Sequence, residues 1–319
     1  MSGKGITYRL LYWTVRALAA LPFRALYALS DCIYILVYYV VGYRKKTVRR
    51  NLSSSFPEKS EQELRQIERR FYHWFCDYIF ETMKMLDLNE KEMLEHMEFR
   101  GVDKMMECYA EGQSCAAILG HYCNWEWLSA TTLSYEAFTG KSKNEVPAVG
   151  LIYHPLYNKA FDQLFIDIRS SKHGFCVPKK DILRYLLDFR RQGRLSLMGY
   201  IADQGPKWEN IHLWLPFLNH DTPVFTGAER IIRKMNNAVF YVDMQRPSRG
   251  KYICTFQLMT REPNTLDEFG ITRRFFEMLE DSIRKEPAYY LWTHKRWKRT
   301  HEEFDRRFIV ENGKVIKRD

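Results

Sequence analysis

The sequence predicts an α/β domain, a mixed and mostly parallel sheet flanked by helices, behind an amino-terminal helical segment suited to a membrane surface. Three observations carry this. From residue 101 on, apolar runs of strand length alternate with longer amphipathic stretches, as in crossover-connected strands. Of 319 residues, 46% are hydrophobic and 15% aromatic, enough for one sizeable core, and no repeat or low-complexity stretch interrupts them. The net charge of +10 lies at the ends: residues 1–56 hold nine Lys/Arg against one acid, and residues 287–319 nine against five.

Residues 1–56 read as a membrane-associating unit with a basic flank. Residues 57–319 read as the globular domain, with a helical lead-in over 57–100 and an α/β core over 101–319. Within the first unit, residues 6–29 are apolar. Arg9, Arg16 and Arg24 recur seven and eight residues apart, which keeps them near one helix face, as in an interfacial helix. Residues 25–43 are more apolar but broken by Asp31. The charge-free remainder, 32–43, has 12 residues, against about 20 for a bilayer span. Arg44, Lys45, Lys46, Arg49 and Arg50 follow, a basic stop of the cytoplasmic kind. No compact charged-then-apolar design with a small-residue cleavage site is present, so the segment reads as a retained anchor. Lying in the interface and crossing at a tilt both stay open.

Ser60-Glu61-Gln62-Glu63 is a capping box that starts a helix running to about residue 86. Its aromatics, Phe71, Trp74, Phe75, Tyr78 and Phe80, fall at helical spacing and read as core. A short acidic helical piece covers 89–97. Strands are expected at 115–119, 149–153, 175–177, 194–202, 213–218, 238–244 and 252–258. Helices are expected near 102–111, 125–135, 158–172, 179–191, 227–234 and 265–284, and 138–146 reads as a loop.

A basic chain raises nucleic acid as a partner, but here the excess sits beside the most apolar stretch. An anionic lipid surface fits better, and no nucleic-acid partner is expected. The seven cysteines are widely spaced without a C-x-x-C pair, so they read as reduced thiols of a cytosol-facing domain, with no disulfide framework or zinc site.

In sheets of this kind the ligand crevice lies beyond the carboxyl ends of strands. Three polar clusters fall there: His121 with Glu126, Tyr153-His154 with Asn158, and Asp203-Gln204. A neutral imidazole can take a proton from an alcohol, and a carboxylate can hold its other nitrogen and stabilise the imidazolium. Five positions are too far round one regular helix for such a pair. His121 is therefore expected on the loop before a helix, with Glu126 in the first turns, whose amides could meet an anion or oxyanion. His-x4-Glu is a weak motif alone, and no second ligand cluster has metal spacing. Asp203 could equally cap a turn before Gly205-Pro206. His154 could be an ordinary loop histidine, and Trp292, Arg296 and Trp297 either a stacked structural clamp or an anion contact.

Taken together the blocks resemble the bacterial lipid A biosynthesis acyltransferase family (lauroyl and myristoyl transferases, within the lysophospholipid acyltransferase group). The resemblance rests on Asn51-Leu52 and Phe56-Pro57 after the basic run, Gly120-His121 with Glu126, and Tyr153-His154-Pro155 through Asn158. It continues in Asp203-Gln204 with Pro206, Pro216-Phe217, Thr226-Gly227-Ala228, and residues 290–298, and covers about 9–300. It implies a glycerol-3-phosphate acyltransferase-like fold, with His121 as general base and Glu126 as its orienting partner. Asp203 and Gln204 become active-site walls, and Tyr153 and Asn158 substrate contacts. His154 stands where the family has an arginine, so Arg169 or Lys172 would supply the missing charge, and Arg296 is the better anion ligand of the carboxy-terminal cluster.

The resemblance further implies transfer of a fatty acyl chain from an acyl-carrier-protein thioester, less readily from acyl-CoA, to a hydroxyl of a lipid A precursor. The place would be the cytoplasmic face of an inner membrane. The thioester is already activated, so no metal or other cofactor is expected, and acidic carrier proteins suit the basic patches. A lysophospholipid or aminolipid acceptor is the rival enzyme reading, a catalytically inactive lipid-binding protein the rival of another class. Cys123 is the one candidate for an acyl-enzyme.

Overall fold

The computed structural model describes residues 5–311 and 313–318. In chain order the helices are α1 (Ile6–Ala19), α2 (Phe23–Ile35), α3 (Lys45–Ser55), α4 (Glu61–Lys84), α5 (Glu90–His96), α6 (Val102–Ala110), α7 (Thr131–Thr139), α8 (Lys159–Ser170), α9 (Ile182–Arg191), α10 (Gly227–Met235), α11 (Gly270–Lys285) and α12 (His301–Arg307). The strands are β1 (Met97–Arg100), β2 (Cys115–Leu119), β3 (Ala148–Tyr153), β4 (Phe175–Pro178), β5 (Ser196–Ile201), β6 (Trp214–Phe217), β7 (His220–Pro223), β8 (Ala238–Ser248), β9 (Lys251–Thr260), β10 (Phe308–Glu311) and β11 (Lys314–Lys317).

Seven strands form one sheet in the order β1-β9-β8-β2-β5-β3-β4. Every neighbouring pair is parallel except β8 with β9, so the sheet is mixed and mostly parallel. The central strand β2 is buried at every position, as a strand covered on both faces must be. Leaving β2 the chain moves toward β3, and leaving β5 it moves the other way, toward β8. Right-handed crossovers in opposite directions put the connecting helices on opposite faces and open a crevice at the carboxyl ends of β2 and β5.

Ser60 and Glu63 form the expected capping box, and the aromatic stripe of α4 is largely buried. The same device recurs at Asn89 and Glu92, at the start of α5. Four stretches depart from the expected elements. The short helical piece expected over 89–97 ends at His96, and residues 97–100, with no element expected beyond 97, form β1 against β9. Residues 214–217 leave the main sheet and pair antiparallel with β7 through a tight turn at Leu218 and Asn219, both at positive φ. The stretch after Glu126 begins as a 3-10 helix, Trp125–Ala130, and continues as α7. Residues 301–317 add α12 and a β10–β11 hairpin, where no element was expected.

Gly101 joins β1 to α6 at φ +77, and a Cβ there would lie 2.3 Å from the carbonyl oxygen of Phe256. Gly101→Ala should lose about 1–3 kcal/mol from the left-handed backbone alone, and more from the clash with a paired strand. The denaturant midpoint of the purified variant measures it.

Candidate active site

Register builds the centre of the site. Leu119 of β2 sits opposite Ile201 of β5, and the Ala202 amide donates to the Leu119 carbonyl at 3.0 Å. Two residues further on, the same alignment sets His121 opposite Asp203. The His121 Nδ1 donates to Asp203 Oδ1 at 2.6 Å. A carboxylate only accepts, so this contact assigns the proton to Nδ1 and leaves the Nε2 lone pair facing the crevice. Gln204 Nε2 reaches that nitrogen at 3.3 Å. The His121 carbonyl accepts from the Leu291 amide at 3.1 Å, and Trp125 meets the imidazole edge-on with centroids 5.1 Å apart. Backbone and ring are thereby both held.

Asp203 is buried. Burial by itself raises its carboxyl, but the charge and hydrogen bonds of His121, with Arg296 behind, outweigh this and hold it below the usual carboxylate range. Arg296 is 2% exposed. Its Nη2 donates to the Pro223 carbonyl at 2.7 Å, while Nε and Nη1 have no partner. Burial pushes this guanidinium down, with Tyr290 and Asp203 countering.

Glu126 does not hold His121. Arg169 of α8 takes both its oxygens, with Nε at 2.6 Å and Nη2 at 2.7 Å, and the Tyr78 hydroxyl donates to Oε1 at 3.4 Å. The five-residue spacing runs into the buried 3-10 turn, which directs Glu126 toward α8 and α4. The orienting carboxylate is therefore Asp203, a correction to the expected role of Glu126. Arg169 is corrected with it. Burial would lower its guanidinium, but Glu126 more than offsets that, so the ion pair is closed and Arg169 is no free phosphate ligand. Lys172 is likewise taken, donating to the Met85 carbonyl at 2.7 Å.

His121 opens on a cavity of about 830 Å³ between the strand ends, α8, α9 and α10. Leu119, Leu128, Leu151, Ile182 and Leu183 give it an apolar interior, and Tyr153, His154, Glu126, Arg169 and Gln204 also line it. His154 is exposed, with Nδ1 3.0 Å from the Pro155 carbonyl. Asn158 departs from its expected role: its side chain caps α8, accepting from the Ala160 and Phe161 amides, because an Asn at this position satisfies donors the helix leaves open. Arg296 also departs, being walled off behind Asp203. Cys123 is wholly buried, donates to the Met244 carbonyl at 3.3 Å, and burial pushes its thiol well up, so it offers no nucleophile to the cavity.

Residue-by-residue reading missed the basic rim. Lys179, Arg230 and Lys234 all line the cavity. The spacing of Arg230 and Lys234 on one face of α10 was the available signal, but it resembled any solvated helix face.

Residues 5–299 match the family described as bacterial lipid A biosynthesis acyltransferase. The chain is 23% identical over 294 residues to a lipid A biosynthesis lauroyltransferase of Escherichia coli (strain K12), covering 90% of each chain. It is 21% identical over 267 residues to a lipid A biosynthesis acyltransferase of Haemophilus influenzae, covering 82% of this chain and 80% of the other.

Two measurements follow from the site's charges. Arg169→Met strands the buried Glu126 carboxylate and should cost about 3–5 kcal/mol of stability, read from denaturant midpoints. Were Glu126 the partner of His121, the loss would be small. Burial, against the attraction of Asp203, pushes His294 down to about 4 from an ordinary 6.5. The native chain therefore binds fewer protons than the unfolded one between those values. Its stability should rise with pH through that window and level off above it, and His294→Asn should flatten the slope in denaturation series across it.

Proposed function

The chain belongs to the bacterial lipid A biosynthesis acyltransferase family and is an acyltransferase, and from that premise we propose that it transfers a fatty acyl chain from an acyl thioester to a hydroxyl of a lipid A precursor. The observation that carries the proposal is His121, with Nδ1 fixed on Asp203 and Nε2 open to an apolar cavity with a basic rim.

In this reading the acceptor hydroxyl replaces the Gln204 amide at Nε2 and gives up its proton as its oxygen attacks the thioester carbonyl. Asp203, kept ionised by its neighbours, stabilises the imidazolium. The tetrahedral intermediate then expels the thiolate, which takes the proton back from Nε2, leaving ester and thiol with the imidazole neutral again. The thioester brings its own activation, so no metal or other cofactor takes part, and no acyl-enzyme forms. The cavity receives the acyl chain, to which its apolar interior is suited. Lys179, Arg230 and Lys234 hold phosphate, either of the acceptor or of the carrier's prosthetic arm, and steer an acidic acyl-carrier protein. The closed Glu126–Arg169 pair is the wall against which His121 and the acceptor are set. The sheet order and the site at the carboxyl ends of β2 and β5 support a glycerol-3-phosphate acyltransferase-like fold. Residues 1–56 serve as the membrane-docking unit and 57–319 as the acyltransferase domain, at the cytoplasmic face of the inner membrane.

His121→Ala should lower the rate by about 10²–10⁴-fold, with acyl-carrier-protein thioester and lipid A precursor as substrates. Asp203→Asn should fall in the same range, since the amide no longer stabilises the imidazolium. Retained activity in His121→Ala would sink the mechanism. Mass spectrometry of lipids from cells without the protein should show lipid A short of one acyl chain, and an unchanged profile would sink the acceptor assignment.

A further inference from the structure

We propose that the chain is monotopic: α1 and α2 lie in one leaflet of an anionic bilayer without crossing it, and the same docking surface continues to the mouth of the cavity. The question is posed by residues 23–41. By length and composition Phe23–Val41 is able to cross a membrane. Its 19 residues reach about 28 Å, close to the ~30 Å hydrocarbon thickness.

Its polar side chains forbid the crossing. The Tyr27 hydroxyl donates to Glu81 at 3.0 Å, Ser30 to Asp77 at 2.7 Å, and the Tyr38 hydroxyl to Glu68 at 3.0 Å. Asp31 meets Arg249 at 2.6 Å and His73 at 2.9 Å. Glu68, His73, Asp77 and Glu81 all belong to α4, and Arg246 bridges two of them, reaching Asp77 at 2.7 Å and Glu81 at 3.6 Å. Glu68, Asp77 and Glu81 are buried. If α2 crossed the bilayer, either α4 would enter the hydrocarbon with it, including the exposed Arg65, Arg69 and Arg70, or these carboxylates would lose their partners.

Both flanks of the helix are tied to the same globular body. Before it, Lys84 donates to the Ala19 and Leu21 carbonyls at 2.8 and 3.0 Å, and Arg16 pairs with Asp87 at 2.7 Å. After it, Arg44 donates to the Thr293 carbonyl at 2.9 Å, and Asn51 to the Trp292 and His294 carbonyls, each at 2.9 Å. A spanning helix puts its flanks on opposite sides of the membrane, and these sit on one side.

The outward face is built for lipid. Ile6, Leu10 and Trp13 form an exposed stripe on α1. Leu29, Ile33, Leu36 and Val40 form another, at helical spacing, along α2 and the π-helical turn Leu36–Val41 that extends it. Tyr39 and Tyr43 are exposed beside it, and Arg24, Lys46 and Arg50 supply exposed positive charge, the combination that an anionic headgroup layer takes up. α1 packs along α8, where Tyr8 bonds Asp167. Phe161 on α8 is exposed, as are Leu156 and Tyr157 in the loop before it. Leu156 and Phe165 line the cavity. The apolar surface thus leads from the anchor to the cavity mouth, and a lipid enters sideways from the leaflet.

The test uses the full chain carrying an epitope tag at each end, expressed in bacterial inner membranes. Protease should reach neither tag in intact spheroplasts and both in inverted vesicles. An amino-terminal tag cleaved in spheroplasts means a crossing helix and overturns the proposal. For the surface, purified chain should partition at least tenfold more strongly to phosphatidylethanolamine–phosphatidylglycerol vesicles than to phosphatidylcholine vesicles. Trp13→Ser should weaken that binding severalfold. Tyr157→Ser with Phe161→Ser should do the same, and unchanged binding in this pair overturns the continuation to the cavity mouth. Self-association by sedimentation without vesicle binding would assign the face to a second copy of the chain and overturn the proposal.

Discussion

The parallel register of β2 and β5 is the constraint on which the site depends. Leu119 faces Ile201, so the first residues beyond the strands bring an imidazole and a carboxylate to 2.6 Å. A slip of one residue would turn every side chain to the other face and leave Asp203 a buried charge without a partner. The register is guarded from both sides. β8 pairs along β2, and β3 along β5. A Cβ on Gly120 would come within 2.8 Å of Leu279 on α11, so the turn carrying His121 fits only against that helix.

A second buried charge system surrounds the first without touching it. Glu81 of α4 accepts from Tyr27 of α2, from Asn124 at 3.1 Å and from Tyr252 at 2.6 Å. Its backbone carbonyl accepts from the Trp127 indole at 3.0 Å. Burial raises the Glu81 carboxyl, with Arg246 and these donors pulling it back. One side chain thus ties α2, the loop after His121 and the β8–β9 hairpin together. Removing any one partner strands the others, which is what makes such networks specify an arrangement more than they add stability.

Sequence periodicity made most of the fold legible. Alternation of strand-length and helix-length runs depends on local pattern, and the capping box at Ser60 is a purely local device. What it did not reveal depends on pairing. Strand order, the exile of β6 to its own hairpin and the role of residues 97–100 are set by which backbone finds which edge. The site divides the same way. His121 and Asp203 were both legible as candidates because they end strands, but their partnership is a fact of register, 82 positions apart in the chain. Glu126 is near His121 in sequence and matches the family's motif spacing, but the 3-10 turn carries it to Arg169 instead. Asn158 and Arg296 have side chains suited to substrate, yet one is spent on a helix end and the other sealed behind Asp203.

The two charge systems also explain why an apolar amino terminus and a soluble-looking α/β domain form one body. A helix whose polar residues are satisfied within the bilayer has no need of a protein partner, and one whose polar residues are satisfied by a charged helix cannot leave it. Tyr27, Ser30 and Asp31 of α2, with Tyr38 in the π-helical turn that extends it, put this helix in the second class along most of its length. The apolar stripe opposite them is the face proposed to rest on lipid, and α4 sets its plane relative to the rest of the molecule. α4 also holds Asn124 and Trp127 close to His121 in the chain, so the position of α2 on α4 is linked through one helix to that of the imidazole. Buried carboxylates fix the distance between α2 and the His121 loop more firmly than apolar packing, since they tolerate no sliding.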